Sequence, residues 1–313
     1  HRNRLYRRTD EKNKLYCRPR PSKLGEKSKN NQEIEVLSAD EFYSQLLKDI
    51  QTNQLVLPTL PEVALRVRDT VENEDVSAKE VASVISTDAA LSARLIQVAN
   101  SPMYRGSKQI EDIQTAVARL GFTTTRDIVT GLVMQQMFQA TSEVTDKRLR
   151  HIWEHSTQVA SISQVLCSQF TRLKKDHARL AGLVHDIGAL PILVAAEDMP
   201  ELLEDEAALD KLIEELHPRL GKIILESWHF LPEISAVAAE HEDLTRTHGD
   251  EIDYVDLVQV ANLQSYIGSD NPLARIDFDS VPACVKLGLG GDVNVIDMDG
   301  FEEIEDIQKS LMG

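Results

Sequence analysis

Cysteine is scarce in this chain: Cys17, Cys167 and Cys284 are the three in 313 residues. They lie far apart and form no Cys-x-x-Cys. That excludes a disulfide scaffold or zinc-finger framework and points to a reducing, cytoplasmic setting. No stretch approaches eighteen consecutive apolar residues and mean hydropathy is −0.27, so no membrane span is expected. The first residues lack the apolar segment of a secretory signal. Hairpin signals and fixed-period repeats are also missing. Basic charge is in deficit overall. The net charge of −17 argues against broad nucleic-acid binding, because a phosphate backbone would be repelled.

What basic charge there is sits at one end. Residues 1–30 hold eleven Lys/Arg against three Asp/Glu, and the other 283 residues hold 23 against 48. The first segment has few aliphatic residues and contains Arg18-Pro19-Arg20-Pro21. It cannot build a core and is expected to be a linker or disordered arm over 1–36. Because the chain begins at His1, this arm is expected to connect to something upstream. Hydrophobic residues at 42% and charged residues at 27% are ordinary for a globular body.

The body follows a helical period almost throughout. Ser38-Ala39-Asp40-Glu41 and Ser77-Ala78-Lys79-Glu80 are capping boxes. Phe42, Leu46, Leu47 and Ile50 share one face. Pro61 suits the start of a helix carrying Val63, Leu65 and Val67. Thr87-Asp88 opens the stripe Leu91, Leu95, Ile96, Ala99, which Asn100-Ser101-Pro102 stops. Gly121 ends a short helix from Ile113, and Thr123–Thr125 leads into 128–138. Further helices are expected from Asp146 through Leu166, over 178–190, from Pro218, from Pro232 to His241, and from Tyr254 to Ile267. Residues 194–215 read as an acidic stretch broken at Pro200. In the acidic C-terminal extension, 269–313, Phe301, Ile304, Ile307 and Leu311 form one amphipathic face, expected to pack on the body. The fold class is therefore all-α.

Chemistry concentrates in histidine. Of nine, six fall between His151 and His229. Gly182-Leu183-Val184-His185-Asp186-Ile187-Gly188 places an imidazole beside a carboxylate, a suitable pair for a borderline divalent ion such as Mn, Fe, Ni or Zn. His155 one helix earlier, His217 at the start of a later helix and His241 at the end of another would complete ligands from four helices around one interior point. Each residue alone also has a plain explanation: an interface histidine, a residue near a helix cap, a carboxylate paired with a cation, a solvated helix end.

Longer motifs carry a resemblance. They are Leu57-Pro58-Thr59-Leu60-Pro61, the run from Ser86 to Leu95, Val98-Ala99-Asn100-Ser101-Pro102-Met103-Tyr104, Ile110 to Ala116, and Leu120-Gly121. The second half adds Trp153-Glu154-His155-Ser156, Ala181 to Gly188, His217 with Gly221 and Leu225, and Trp228 through Pro232. With these, roughly residues 40–268 resemble the HDOD-domain family, a branch of the HD-domain metal-dependent phosphohydrolase superfamily. The resemblance implies an N-terminal helical lobe, 37–145, packed on an HD-like helical lobe, 146–268. It also implies bacterial signal transduction and regulation, with catalysis lost in many members.

In catalytic HD hydrolases the metal set is a His, the His-Asp pair and a later Asp. By resemblance these positions are His155, His185, Asp186 and Asn262. The neutral amide of Asn262 is a much weaker ligand than a carboxylate. Binuclear relatives add histidines, of which His217 and His241 are kept, while Glu240 stands where another His would be. Their phosphate-binding Lys is Ala189 here. Asp186 is the candidate catalytic residue if there is catalysis, with Glu240 and Asn262 as doubtful ligands. Three readings follow. One is a non-catalytic regulatory module that binds a protein partner or a small nucleotide. The second is a metal-dependent phosphohydrolase acting on a nucleotide or phosphodiester. The third, supported by residues 1–30 alone, is a nucleic-acid regulator. For the third, an electrophoretic shift assay at moderate salt is expected to show no DNA or RNA binding by the full chain. Binding that disappears on deleting residues 1–30 would reverse that expectation.

Overall fold

Helix starts follow the side chains that satisfy the first unpaired N–H groups. In the computed structural model, which describes residues 39–52, 61–73, 75–104, 106, 108–137, 143–289 and 298–312, Ser77 and Glu80 make a reciprocal capping box at α3 (Ala78–Ile85). Asp88 caps α4 (Ala89–Ala99), and Asp112 caps α5 (Ile113–Leu120). Ahead of them lie α1 (Ala39–Gln51) and α2 (Glu62–Val71). The Ser38 cap, Leu57–Leu60 and the basic arm fall outside the described residues. Gly121, at φ 79, ends α5 and leads directly into α6 (Phe122–Met134). That helix begins earlier than Thr123–Thr125 suggested, because the glycine makes the whole turn by itself. All the regular elements among the described residues are helices.

Asn100 does more than stop α4. Its side-chain N–H donates to the Ile110 carbonyl at 2.8 Å, and its Oδ1 accepts from the Ile110 N–H at 2.8 Å. The loop between α4 and α5 is thus closed by one amide.

The second half is built around α7 (Glu143–Phe170). It packs against α8 (Lys175–Val184), α13 (Tyr254–Ser265) and α15 (Met298–Met312). Between these come α9 (Ala189–Ala196), α10 (Pro200–Glu204), α11 (Glu206–Ser227) and α12 (Pro232–Glu240), with α14 (Pro282–Lys286) after α13. Helix α6 lies against α8, where Thr124 donates to Asp176 at 2.7 Å and Arg179 donates to the Tyr104 hydroxyl. Helix α1 packs on α11, with the Arg219 guanidinium 3.7 Å above the Tyr43 ring. The expected C-terminal face is largely present: Ile304, Ile307 and Leu311 are buried, each stabilising by about 1.5–3 kcal/mol. The Phe301 side chain lies outside the described residues.

Two sequence expectations are corrected. The helix expected over 178–190 is two helices, α8 and α9. Between them the bonds tighten to three-residue spacing: Ile187 N–H to Val184 O, Ala189 N–H to Asp186 O, and Leu190 N–H to Ile187 O. The close docking of Gly188 on α11 causes this. A Cβ there would stand 2.0 Å from the His217 carbonyl oxygen and 2.5 Å from the Gly221 nitrogen. Second, Pro218 does not start a helix. It lies inside the 22-residue α11, so His217 sits mid-helix. Proline in a helix interior costs about 3 kcal/mol. Here the carbonyl it deprives belongs to exposed Glu214, which water can serve, and packing along the rest of α11 outweighs the cost.

Against the expectation of no membrane span, one described segment is long and apolar enough by length and composition. It is Lys175–Ala196, with mean hydropathy 1.5 in its most apolar window, 83% of which is buried inside the protein. It comprises α8, the tightened turn and α9, and its apolar side chains belong to the core.

Gly188→Ala is expected to lower Tm by about 5 °C or more in a thermal melt, since the clash is with backbone that cannot yield cheaply. Asn100→Ala leaves both polar groups of buried Ile110 unpaired, an expected loss of about 1–3 kcal/mol in urea unfolding.

Candidate metal centre

Four helices deliver imidazoles to one carboxylate. His155 comes from α7, His185 and Asp186 from the end of α8, His217 from the middle of α11, and His241 from the cap of α12. Close backbone approach makes this possible. Gly182, one turn before His185, lies where a Cβ would meet the Ala160 Cα of α7 at 2.7 Å. Gly188 does the same toward α11.

The carboxylate of Asp186 faces two ways. Its Oδ2 lies 3.3 Å from His185 Nε2 and 3.8 Å from His155 Nε2. Its Oδ1 lies 3.4 Å from His217 Nε2 and 3.3 Å from His241 Nε2. Two groups therefore share Asp186, one with His155 and His185 and one with His217 and His241. Within each group all donor atoms lie within 4.8 Å of one another. Each group can hold a metal ion.

The far side of each ring sets which nitrogen points inward. His185 Nδ1 lies 2.7 Å from the Gly182 carbonyl, His217 Nδ1 2.7 Å from that of Ile213, and His241 Nδ1 3.0 Å from that of Val237. A carbonyl only accepts, so each Nδ1 carries a proton and donates. In a neutral ring the free lone pair then belongs to Nε2, turned toward Asp186, and backbone bonds of this kind orient imidazole ligands. His185 Nε2 has no hydrogen-bond partner although fully buried, and neither has Asn262 Oδ1 on α13. A buried lone pair 3.3 Å from a carboxylate oxygen is an arrangement that a cation relieves. The residues present fit a metal.

Electrostatics point the same way. Burial opposes the charge on Asp186, yet His185 and the other imidazoles hold its carboxyl well below the usual range. Burial also opposes a charge on His241, but hydrogen bonds to Asp186 and Glu242 push it up to about 10. His217 Nε2 lies 3.1 Å from His241 Nε2. Burial lowers His155 to about 4 and lowers His217 as well. Two carboxylates and one imidazolium leave the cluster electron-rich, and a divalent ion would balance it.

Of the doubtful ligands, Glu240 is turned away. Its carboxylate accepts from Arg246 Nε at 2.6 Å, and Arg246 also reaches Asp253 and the buried Asp256. Asn262 is on α13 one turn before Tyr266. The Tyr266 ring stacks on His155, with centroids 5.1 Å apart, and its hydroxyl lies 3.4 Å from His155 Nε2. Burial first, then Asp186 and Glu242, push this phenol up, so it keeps its proton. Ala189 is buried. Sequence reasoning missed Tyr266 and Glu242. Tyr266 gave no signal, being four residues beyond Asn262 on a helix already read as core. Glu242 was visible only as part of Glu240-His241-Glu242-Asp243, whose alternating directions need the turn geometry.

The HDOD domain model matches residues 57–244. Among solved structures, a Shewanella amazonensis SB2B protein described as a proposed metal-dependent phosphohydrolase is 34% identical. The match covers 87% of this chain and 99% of that one, with a TM-score of 0.74. An HDOD domain protein of unknown function from Geobacter sulfurreducens is 22% identical over 87% and 98% of the two chains, TM-score 0.63. A curated Treponema pallidum (strain Nichols) protein, uncharacterised, is 22% identical over 235 residues. The match takes in 70% of this chain and spans 44% of that relative's length. On the family match and the Shewanella likeness together, with the histidines and Asp186 converging inside an all-helical body, the chain belongs to the HDOD domain family.

Proposed function

We propose that this chain is a bacterial signal-transduction module that acts by binding a protein partner or a small nucleotide, with a divalent transition metal in its His/Asp cage and without turnover. The carrying observation is the lining of the His155 side. Where hydrolytic HD enzymes, by the resemblance, place a carboxylate and a lysine, this chain has neutral Asn262 and buried Ala189. The Tyr266 hydroxyl lies against His155 Nε2 instead. A bound ion would polarise a water or a phosphate oxygen. Among the described residues, the side chains contacting the cage include a second carboxylate, Glu242, and no ammonium group to neutralise the phosphate is seen among those contacts. Reduced Cys167 and Cys284, both buried, support a cytoplasmic site of action.

A second reading, a metal-dependent phosphohydrolase, is favoured by the convergence of four imidazoles on Asp186.

One experiment separates the two. Metal content of the purified chain is measured by elemental analysis, and hydrolysis of a generic phosphodiester is followed with added Mn or Ni. Bound metal is expected, with background hydrolysis identical in wild type and Asp186→Ala. Turnover that vanishes in Asp186→Ala overturns the binding reading in favour of the hydrolase.

A further inference from the structure

We infer that Glu242 is a metal ligand. It would complete a second ion position with His217, His241 and Oδ1 of Asp186, beside the position formed by His155, His185 and Oδ2. This rests on the metal-holding reading of the cage and goes beyond it, because the ligand set that the resemblance implies does not include Glu242.

Spacing carries the inference. Two nitrogen or oxygen ligands at about 2.1 Å from one ion, at a tetrahedral angle, stand about 3.4 Å apart. His217 Nε2 and His241 Nε2 are 3.1 Å apart. Asp186 Oδ1 lies 3.4 and 3.3 Å from them. Glu242 Oε1 lies 3.9 and 3.5 Å from the same two nitrogens. Two imidazoles and two carboxylates, each nearly at ligand spacing from both rings, form a donor set for a divalent transition ion.

The turn bearing Glu242 is held from outside the cage. Gln259 on α13 donates to the Glu240 carbonyl at 3.0 Å and to the Asp243 carbonyl at 2.7 Å, bracketing His241 and Glu242. Arg246 takes the Glu240 carboxylate, at 2.6 Å, and so removes the competing acid. Glu242 remains partly exposed, at 38%, which lets it swing the remaining few tenths of an ångström onto an ion.

The test is titration of the chelator-stripped full chain with Mn or Ni by calorimetry, with elemental analysis of the loaded protein. Wild type is expected to bind two ions. Glu242→Gln should weaken one of the two by more than the ~10- to 100-fold that losing an outer-shell partner alone causes, while Glu240→Gln leaves both unchanged. Circular dichroism confirms that each variant is folded. A wild type that binds one ion, or a Glu242→Gln chain that matches wild type, overturns the inference. A wild type that binds no ion overturns the metal reading of the whole cage, which is a different failure.

Discussion

The carboxylate of Asp186 is the group on which the interior around α7, α8, α11 and α12 depends. It is enclosed by four imidazoles, and an isolated carboxylate in such a place would be too costly to keep charged. Its charge persists because the surrounding imidazoles, His241 as a cation among them, offset the cost of burial, while three of the rings spend Nδ1 on a backbone carbonyl one turn back. The helices, in turn, can bring four rings to one point only where their backbones nearly touch. Gly182 supplies that contact toward α7 and Gly188 toward α11. The tightened turn at 185–188 is the local consequence: the chain gives up regular α-helical bonding where Gly188 meets the α11 backbone.

The two ends of the cage differ chemically. On the His155 side the neighbours are neutral, an amide from Asn262 and a phenol from Tyr266, and Ala189 offers no charge for a phosphate. On the His217 side Glu242 adds a second negative group, and His241 carries the balancing proton when no metal is there. The cage therefore favours a cation. The body outside it is acidic as well, at 48 acidic against 23 basic residues beyond the arm, so the same preference extends to its surface.

Outside the cage, a second charged network protects its geometry. Arg246 joins Glu240, Asp253 and Asp256, and Lys286 adds to Asp256 at 3.0 Å. These contacts tie the α12–α13 loop to the start of α13, and Lys286 on α14 joins them at Asp256.

Much of this was readable from the sequence because its cause is local. Caps at Ser77, Asp88 and Asp112, the stop at Gly121 and the stripes of buried Leu and Ile follow from hydrogen bonding and helical period within a few residues. His155, His185, Asp186, His217 and His241 could be picked out by type and motif, and the family by longer runs. What only the tertiary structure decided depends on distance between helices. Gly188 against the His217 carbonyl breaks an apparently continuous helix, and packing along α11 carries it through Pro218. Arg246 turns Glu240 outward, while the turn after α12 brings Glu242 to the imidazoles. A one-dimensional pattern records which side chains are present and which face of their own helix they share. Which of two neighbouring acids faces a cage is set by partners up to nineteen residues away or on another helix, and that direction exists only once the helices are packed.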